Sequence, residues 1–410
     1  MVVHSDVFER FTQGDTIPVM AQAAMENALS PRIIDRLFED VAERQYTRDL
    51  LFSSVVELMS LVVCRIQPSI NAAYQKNAVP ISVSLQALYR KVNRIEIATA
   101  SALVRKSDER LAPVITAMGG TLTPLLPGYR TKILDGNHLP GTEHRIQELR
   151  TMRAGALPGQ ALVVFDPERM LAIDAILCED GHAQERSLLA QVLETVREKD
   201  LWIADRNFCT TDFLFGIAGR GGSFLIRQHA ATLYYTLVGK WKVRGRTETG
   251  AVFEQTLRAT NEAGEVLFLR RVSVVLDQPT RDGDTEIHLL TNLPAKDAHA
   301  AVVANLYRRR WTIETAFQEL EATLDGEIAT LGYPQAALFA FCVALVSYNV
   351  LSTVKAALRG AHGAEEISEE FSGYYLADEV RMSYRGMMRA IPKDEWVEFQ
   401  GRRSIASQAA

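Results

Sequence analysis

At 410 residues, with 47% hydrophobic and 23% charged positions, the chain is long enough for a large apolar core and more than one domain. Its four cysteines are far apart and form no CxxC pair, so neither a disulfide framework nor a zinc ribbon is indicated. The formal net charge of −5 excludes a surface that is basic throughout, although DNA binding needs only local clusters of lysine and arginine.

The first residues, MVVHSDVFERF, lack the basic and apolar regions of a secretory signal, which argues against export. Together with the dispersed cysteines, this favours a reducing cytoplasm. An uncharged run at residues 335–354 is close to the length that spans a bilayer, but it contains Ser347, Asn349 and Thr353 and has no second span to accompany it. We therefore expect a helix buried in the protein core, and no membrane partner.

Residues 1–125 predict a helical domain, because their apolar positions repeat with a period near 3.6 and glycines are few. Within this domain, residues 82–110 predict one or two helices that carry six basic and three acidic side chains. That excess of positive charge fits either a DNA-facing surface or, more commonly, a solvated helix face.

A segment rich in glycine and proline, residues 119–128, separates these helices from a region in which strands dominate. Strands are predicted at residues 131–134, 161–165, 170–177, 201–204 and 223–227, and helices at about 183–198 and after Thr210. Strands that alternate with helices in this way predict a mixed α/β sheet.

Residues 229–284 differ in character, because short stretches of alternating polar and apolar residues are separated by turn residues. They predict a β-rich subdomain that is inserted into the α/β unit. A strand at 287–290 then returns to the sheet, and helices are predicted from 296 to about 324 and from 334 to about 358.

Two aspartates, Asp135 and Asp205, directly follow short apolar strands of the predicted sheet. In α/β sheets, ligands and catalytic groups gather at the ends of strands. Each aspartate alone is a weak signal, since Asp is also an ordinary turn former. Asp166 and Asp174 are further strand acids, and either of them would replace Asp205 if the strand order differs from the predicted one.

A stronger signal comes later in the chain, from Tyr307, Arg310, Glu314 and Glu321. At about 100° per residue, one continuous helix places these four side chains within an arc of about 60°. The stripe then carries an aromatic hydroxyl, a guanidinium and two carboxylates. A solvated face with an ion pair between Arg310 and Glu314 is the simpler interpretation, whereas the uncharged Phe317 on the same side favours a stripe that faces protein or ligand.

Three acids in the order Asp, Asp, Glu, the last within the pattern Tyr-x2-Arg-x3-Glu-x6-Lys, resemble the DDE transposases of insertion sequence family four, which carry the YREK signature. Tyr307, Arg310 and Glu314 match the first three signature positions. Glu321 stands where the signature has lysine, and a carboxylate there would repel the phosphate that a lysine contacts. The resemblance covers roughly residues 130–350.

The resemblance implies a ribonuclease H-like catalytic core, formed by residues 126–228 and 285–360, with the β subdomain inserted at 229–284. It also implies that the helical N-terminal domain, residues 1–125, binds the DNA ends. We expect the remaining residues, 361–410, to form a C-terminal helical tail.

By the same resemblance, the protein is a transposase that cleaves and joins insertion-sequence ends by a cut-and-paste reaction, through a hairpin intermediate. Asp135 would lie on the first strand of the core, Asp205 after the fourth and Glu314 on a later helix, where they would bind two Mg²⁺ or Mn²⁺ ions. The chemistry fits, because two such ions promote in-line displacement at phosphorus and magnesium prefers oxygen ligands.

The partners implied are the terminal inverted repeats of the element, target DNA, and a second copy of the chain in a dimer on that DNA. Contacts with DNA are expected from Tyr307, Arg310, Arg206 and Glu321, and a planar guanidinium suits a phosphate. Trp241, in the inserted strands, is a candidate for stacking on a base, although an ordinary core position is more common for tryptophan.

Three other functions are alternatives. The first is a related ribonuclease H-like nuclease, which cuts without strand transfer. The second is a catalytically inactive DNA-binding descendant of a transposase, which recognises element ends or represses transposition. The third is a two-carboxylate hydrolase such as a glycosidase, which needs only a pair of acids and a sugar cleft. The third acid and the arginines at 308–310 count against the glycosidase.

Overall fold

The computed structural model describes residues 6–45, 49–76, 81–139, 159–181, 183–229, 233–280, 283–328, 331–363, 376–382, 387 and 391. Most of the helical tail expected at 361–410 lies outside these ranges. Within them, seven helices precede a nine-stranded sheet, and the last three helices follow the final strand.

The described part of the N-terminal region is helical, as its sequence pattern predicts. Its helices are α1 (Asp6–Gly14), α2 (Thr16–Leu29), α3 (Pro31–Val41), α4 (Phe52–Val63), α5 (Ile70–Lys76), α6 (Leu85–Val92) and α7 (Ile97–Ala117). Local signals define two of the helix starts: Pro31 begins α3, and the Ser84 hydroxyl accepts a hydrogen bond from Ala87 N at the start of α6. Apolar side chains of these helices form one continuous core with one face of the sheet.

One mixed sheet contains the strands that the structure describes. They are β1 (Arg130–His138), β2 (Gln160–Asp166), β3 (Leu171–Cys178), β4 (Asp200–Ala204), β5 (Ser223–Arg227), β6 (Tyr235–Thr247), β7 (Gly250–Thr260), β8 (Val266–Leu276) and β9 (Glu286–Thr291). Their order across the sheet is β3-β2-β1-β4-β5-β9-β8-β7-β6. β1, β4 and β5 run parallel, and the other neighbours are antiparallel. The prediction of a mixed α/β sheet is therefore confirmed.

The sheet differs from the sequence prediction in three places. Asp135 lies inside β1 rather than after it, because β1 continues to His138 by pairing with β2. β7 has no counterpart in the prediction, because polar residues such as Glu254 and Arg258 interrupt its apolar pattern. The strands of the predicted insertion, β6, β7 and β8, do not form a sheet of their own, since β8 pairs with β9 and so extends the central sheet.

Five α-helices complete the described elements: α8 (Leu189–Glu194), α9 (Thr211–Gly219), α10 (Ala300–Arg308), α11 (Trp311–Thr323) and α12 (Pro334–His362). By length and composition, α12 is apolar enough to cross a membrane, but the whole of its most apolar 18-residue stretch is buried inside the protein. The expectation of a buried core helix at 335–354 is therefore confirmed.

The side chain of Asn349 links α12 to the edge strand β3 by hydrogen bonds. Its Oδ1 accepts a hydrogen bond from Ala172 N, and its Nδ2 donates to Ala172 O, both at 2.8 Å. Nδ2 also donates to Ser107 Oγ on α7 at 2.8 Å. Because β3 is an edge strand, the side-chain amide supplies the pairing that a further strand would provide.

Candidate active site

Asp135 and Asp205 lie side by side on neighbouring strands. β1 and β4 are parallel, and their register pairs Leu134 with Ala204, so the next residue along each strand is one of the two aspartates. Asp205 then begins the short turn 206–208 through a hydrogen bond from Phe208 N to its carbonyl. Parallel pairing therefore brings together two carboxylates that are far apart in the chain.

β5 adds a basic residue at the same level of the sheet. Ala204 pairs with Ile226, so Arg227 follows beside Asp205. Arg227 Nη2 donates to Asp284 Oδ2 at 2.6 Å. The sequence analysis missed Arg227, although it follows an apolar strand in the same way as Asp205 does.

Glu314 comes from the first turn of α11. The prediction of one continuous helix over residues 307–321 is wrong, because α10 ends at Arg308 and α11 begins at Trp311. At the junction, amides bond to carbonyls three residues back, as Arg310 N does to Tyr307 O, and this tightens the turn. Arg310 therefore stands at the junction of two helices.

The guanidinium of Arg310 lies between two of the predicted catalytic carboxylates. Its Nη1 is 3.4 Å from Asp135 Oδ2, and its Nη2 is 2.5 Å from Glu314 Oε1. Only 11% of the Arg310 side chain is exposed. Asp205 also interacts electrostatically with this guanidinium. Three carboxylates, from β1, from the end of β4 and from α11, therefore converge on one cation.

The electrostatic environment of Asp135 reflects this convergence. Burial raises the pKa of Asp135 to about 6, against the opposing effects of Arg310 and of the Gly136 amide. Glu314 and Asp205 also raise this pKa, because each of them is a nearby negative charge. The positive charge of Arg310 favours the ionised form of Asp135.

Tyr307, in the last turn of α10, supports the arginine. Its hydroxyl interacts electrostatically with the Arg310 side chain. Burial raises the pKa of Tyr307 above its usual range, with Arg310 opposing and Asp205 adding to the effect, so the phenol keeps its proton. Burial lowers the pKa of Arg310, but Tyr307 and the three acids together raise it above its usual value. Arg310 therefore stays charged.

A further carboxylate, Glu185, packs against the backbone beside Asp135. A Cβ atom on Gly136 would clash with Glu185 Oε1, so only glycine allows this approach. The adjacent Arg186 donates from Nε to Asn207 O at 2.8 Å, which joins this segment to the turn after β4. The sequence analysis missed Glu185, and the glycine directly after Asp135 was the available signal.

Asp166 and Asp174, the alternatives to Asp205, have other partners. The register of β1 with β2 pairs Asp135 with Val163, which leaves Asp166 several positions away along the strand. There it forms an ion pair with Arg169 at 2.7 Å. Asp174 pairs with Arg105 of α7 at 2.9 Å. Of the three, only Asp205 lies beside Asp135.

Two of the residues predicted to contact DNA are exposed. Arg206 lies in the turn after β4, and Glu321 lies in the last turns of α11. Glu321 forms no ion pair with Arg308 or Arg310. Instead, Arg308 pairs with Glu248 at 2.9 Å, while Arg310 is held by the acids described above.

Trp241 lies on β6, at the edge of the sheet. Its ring packs against Phe253 with 4.7 Å between the ring centroids and 44° between the ring planes, yet 47% of the tryptophan is exposed. The more common interpretation, an ordinary core tryptophan, is therefore wrong, because β6 has no strand on its outer side to cover it.

A comparison with known protein families shows to which family the chain belongs. The family described as "Transposase DDE domain" matches residues 126–350, which is more than half of the chain and includes all three predicted acids. The chain belongs to this family.

Individual transposases are also similar to this chain. The "Putative transposase InsL for insertion sequence element IS186A" of Escherichia coli (strain K12) is 23% identical over 248 residues, which cover 52% of this chain and 63% of the relative. The "Transposase for insertion sequence element IS421" of Escherichia coli is 23% identical over 248 residues, which cover 62% of its length. The chain therefore spans less than two thirds of these curated relatives. The predicted resemblance to insertion-sequence DDE transposases is confirmed.

Asp135, Asp205 and Glu314 carry oxygen atoms of the kind that a divalent cation binds. Among the residues described, no three His, Cys, Asp or Glu side chains are arranged to hold a metal ion. Arg310 accounts for this, because its guanidinium lies between Asp135 and Glu314. The donors nevertheless fit, since Asp135, Asp205 and Glu314 supply the carboxylate oxygens that Mg²⁺ prefers and already interact with one cation.

Proposed function

We propose that this protein is a DNA transposase that cleaves and joins the ends of an insertion sequence in a metal-dependent reaction. Asp135, Asp205 and Glu314 are its catalytic carboxylates. The observation that carries the proposal is their convergence on the guanidinium of Arg310, within a chain that belongs to the transposase DDE domain family.

The positions of the three acids support a ribonuclease H-like core. Asp135 lies on the first strand of the sheet, Asp205 directly follows the fourth, and Glu314 lies on a later helix. This arrangement matches what the resemblance to DDE transposases implies for the catalytic residues. Residues 126–228 and 285–360 are the proposed extent of this core.

Each side chain has a separate task in the proposed mechanism. Asp135, Asp205 and Glu314 hold two Mg²⁺ or Mn²⁺ ions, which when bound activate the incoming oxygen and stabilise the leaving oxygen at phosphorus. Arg310 binds a phosphate of the DNA end through its planar guanidinium. Tyr307 positions Arg310 through the electrostatic interaction between its hydroxyl and the guanidinium.

The proposed reaction is the cut-and-paste reaction of insertion sequence family four, with its hairpin intermediate. Trp241 is exposed on the edge strand β6, where an aromatic ring is available to stack on a base. Lys240 and Lys242 flank it and add positive charge for the phosphates on either side. Arg206 and Glu321 are the remaining proposed contacts with the DNA end.

The proposed partners are the terminal inverted repeats of the element, target DNA and a second copy of the chain. The N-terminal helices, residues 1–125, are the proposed reader of the DNA ends. A location in the cytoplasm, where the DNA of a bacterium lies, agrees with the burial of α12 inside the protein.

The proposal is tested by cleavage of a DNA duplex that carries the inverted repeats flanking the gene, with Mn²⁺ or Mg²⁺ as the only divalent cation. Asp135→Asn, Asp205→Asn and Glu314→Gln preserve side-chain size but remove a negative charge. Each is expected to reduce cleavage by at least about 100-fold while the protein still binds the duplex in a gel-shift assay.

Asp174→Asn is the matched control, because it changes a strand acid that pairs with Arg105 outside the site. It is expected to keep cleavage within about threefold of the wild type. Full activity of the three acid variants, or equal activity of all proteins in EDTA, would contradict the proposal.

A second candidate function is an inactive DNA-binding descendant of a transposase. The observation that favours it is Glu321, a carboxylate at the position where the family signature has lysine. Under this alternative, wild-type protein binds the duplex but does not cut it. Glu321→Lys restores the signature, so cleavage by that variant alone would show that the substitution inactivated this copy.

A further inference from the structure

Arg310 and a divalent cation compete for the same oxygens. The guanidinium contacts Asp135 Oδ2 with one terminal nitrogen and Glu314 Oε1 with the other, so it spans the gap between two proposed metal ligands. Asp205 lies within its electrostatic reach. A cation that bridges the same carboxylates cannot bind while the guanidinium lies there.

Arg310 forms two ion pairs, but one of its hydrogen-bond donors has no partner. Its Nε is buried and has no hydrogen-bond partner. A buried donor without a partner costs free energy, so this position does not satisfy the full donor set of the side chain. A phosphate oxygen offers guanidinium nitrogens a partner that the present site does not.

We propose that Arg310 is an exchangeable internal cation that closes the metal site in the free protein and leaves it when a DNA phosphate draws the guanidinium away. This inference rests on the proposed function, because it takes Asp135 and Glu314 as metal ligands. Tyr307, in the last turn of α10, interacts with Arg310 from the other side of the junction.

This exchange couples the binding of DNA to the binding of metal. In the free protein, metal binding must break two ion pairs of Arg310. In the DNA complex, the phosphate has already broken them, so the carboxylates are available. Each ligand therefore increases the affinity of the protein for the other by the same factor. The device restricts metal loading to protein that holds its DNA.

The test measures Mn²⁺ binding directly, by the loss of the free-ion signal in electron paramagnetic resonance, with the full chain and without any activity assay. Arg310→Gln is expected to bind Mn²⁺ at least about tenfold more tightly than the wild type in the absence of DNA. Adding the end duplex is expected to tighten Mn²⁺ binding about tenfold for the wild type and less than about twofold for Arg310→Gln.

Arg309→Gln is the matched control for a change of net charge. Arg309 is the exposed neighbour of Arg310, and its removal is expected to alter Mn²⁺ affinity by less than about twofold because solvent screens it. If Arg310→Gln does not fold, as judged by circular dichroism, Arg310→Lys replaces it. Lysine lacks the fork that spans both carboxylates, so a gain of about threefold is expected.

Two results would overturn the inference, and they are distinguishable. If Asp135→Asn abolishes Mn²⁺ binding but neither variant of Arg310 binds the ion more tightly than the wild type, the exchange is wrong and the proposed metal site stands. If no protein binds Mn²⁺ with or without the duplex, the proposed function fails together with the inference.

Discussion

Charges of opposite sign alternate through the candidate site. The acids Asp135 and Glu314 flank Arg310, and Arg227 beside Asp205 pairs with Asp284. A buried ion pair loses most when one partner alone is removed, because the other charge stays buried without compensation. The residues of the site therefore depend on one another for stability as well as for chemistry.

Asp108 lies on α7, outside the candidate site, and its pKa also depends on burial and on neighbouring charges. Burial raises the pKa of Asp108 to about 6, and Asp166 and Glu109 add to the effect against Arg169 and Lys132. The folded protein therefore holds this proton more tightly than the unfolded chain, whose carboxyl has the ordinary pKa of 3.8. The resulting stabilisation is complete below 3.8 and is lost as the pH rises through about 6.

We predict that Asp108→Asn flattens this pH dependence. The amide carries no charge, so at about pH 8 the variant should be more stable than the wild type by about 1 to 2 kcal/mol. At about pH 3 the two proteins should be equally stable, because the carboxyl is then protonated in both states. Urea unfolding at both pH values measures the difference. A constant difference at the two pH values would contradict the prediction.

The helix that carries Glu314 contacts an arginine at each end: Arg310, directly before its first residue, and the distant Arg65. Its first turn meets Arg310, and its last carbonyls meet Arg65, which follows α4. Arg65 Nη1 donates to Ala322 O at 3.0 Å, and its Nη2 donates to Glu321 O and Leu324 O, both at 2.9 Å. A cation that bonds the last carbonyls of a helix also favours its dipole.

The backbone of Arg65 is unusual, since its φ of 56° lies in the left-handed region that favours glycine. We predict that Arg65→Ala destabilises the protein by about 2 kcal/mol, because it removes three hydrogen bonds and keeps the backbone strain. Arg65→Gly should recover about 1 kcal/mol of this loss, since glycine relieves the strain. Denaturant unfolding measures both values.

Hydrogen exchange of the amides of residues 318–324 distinguishes the loss of the Arg65 side-chain hydrogen bonds from the backbone strain at Arg65. Exchange there should accelerate in both variants, because each lacks the bonds to the end of α11. Arg65→Lys keeps the charge and should restore part of the protection. Unchanged exchange in Arg65→Ala would show that α11 does not depend on this contact.

At the scale of the whole molecule, α12 connects the N-terminal helices with the sheet. It packs against α2, α4 and α7 and against β3. Asn349 is the polar centre of this interface and is fully buried. The Asn349 side chain thus joins α12, α7 and the edge of the sheet. Its loss should therefore lower the free energy of unfolding of the described fold as a whole.

We predict that Asn349→Leu, which keeps the branched shape of the side chain but removes its polar atoms, lowers the free energy of unfolding by about 3 kcal/mol. The substitution leaves Ala172 N and Ala172 O buried without their partner. Ser347→Ala is the control, because the Ser347 hydroxyl donates to Val343 O within the same helix, and it should cost less than about 1 kcal/mol. Equal costs for the two variants would contradict the role given to Asn349.

Much of the local structure could be predicted from the sequence, because local structure follows from periodicity. Apolar runs that end at Asp135 and Asp205 indicated two strands, and an uncharged run at 335–354 indicated a core helix. The spacing of Tyr307, Arg310 and Glu314 indicated one functional group of side chains and the family to which the chain belongs. The strand and helix signals lie within single elements, where a residue and its neighbours decide the conformation. Tyr307, Arg310 and Glu314 instead span the junction of α10 and α11.

Only the tertiary structure decided which side chains meet. The parallel register of β1, β4 and β5 sets Asp135, Asp205 and Arg227 level, and the junction between α10 and α11 turns Arg310 toward the acids. No local pattern contains this information, because register and packing depend on contacts between residues that are distant in the chain. The sequence alone therefore indicated the acids and their chemistry, whereas the arginine that occupies their centre emerged from the fold.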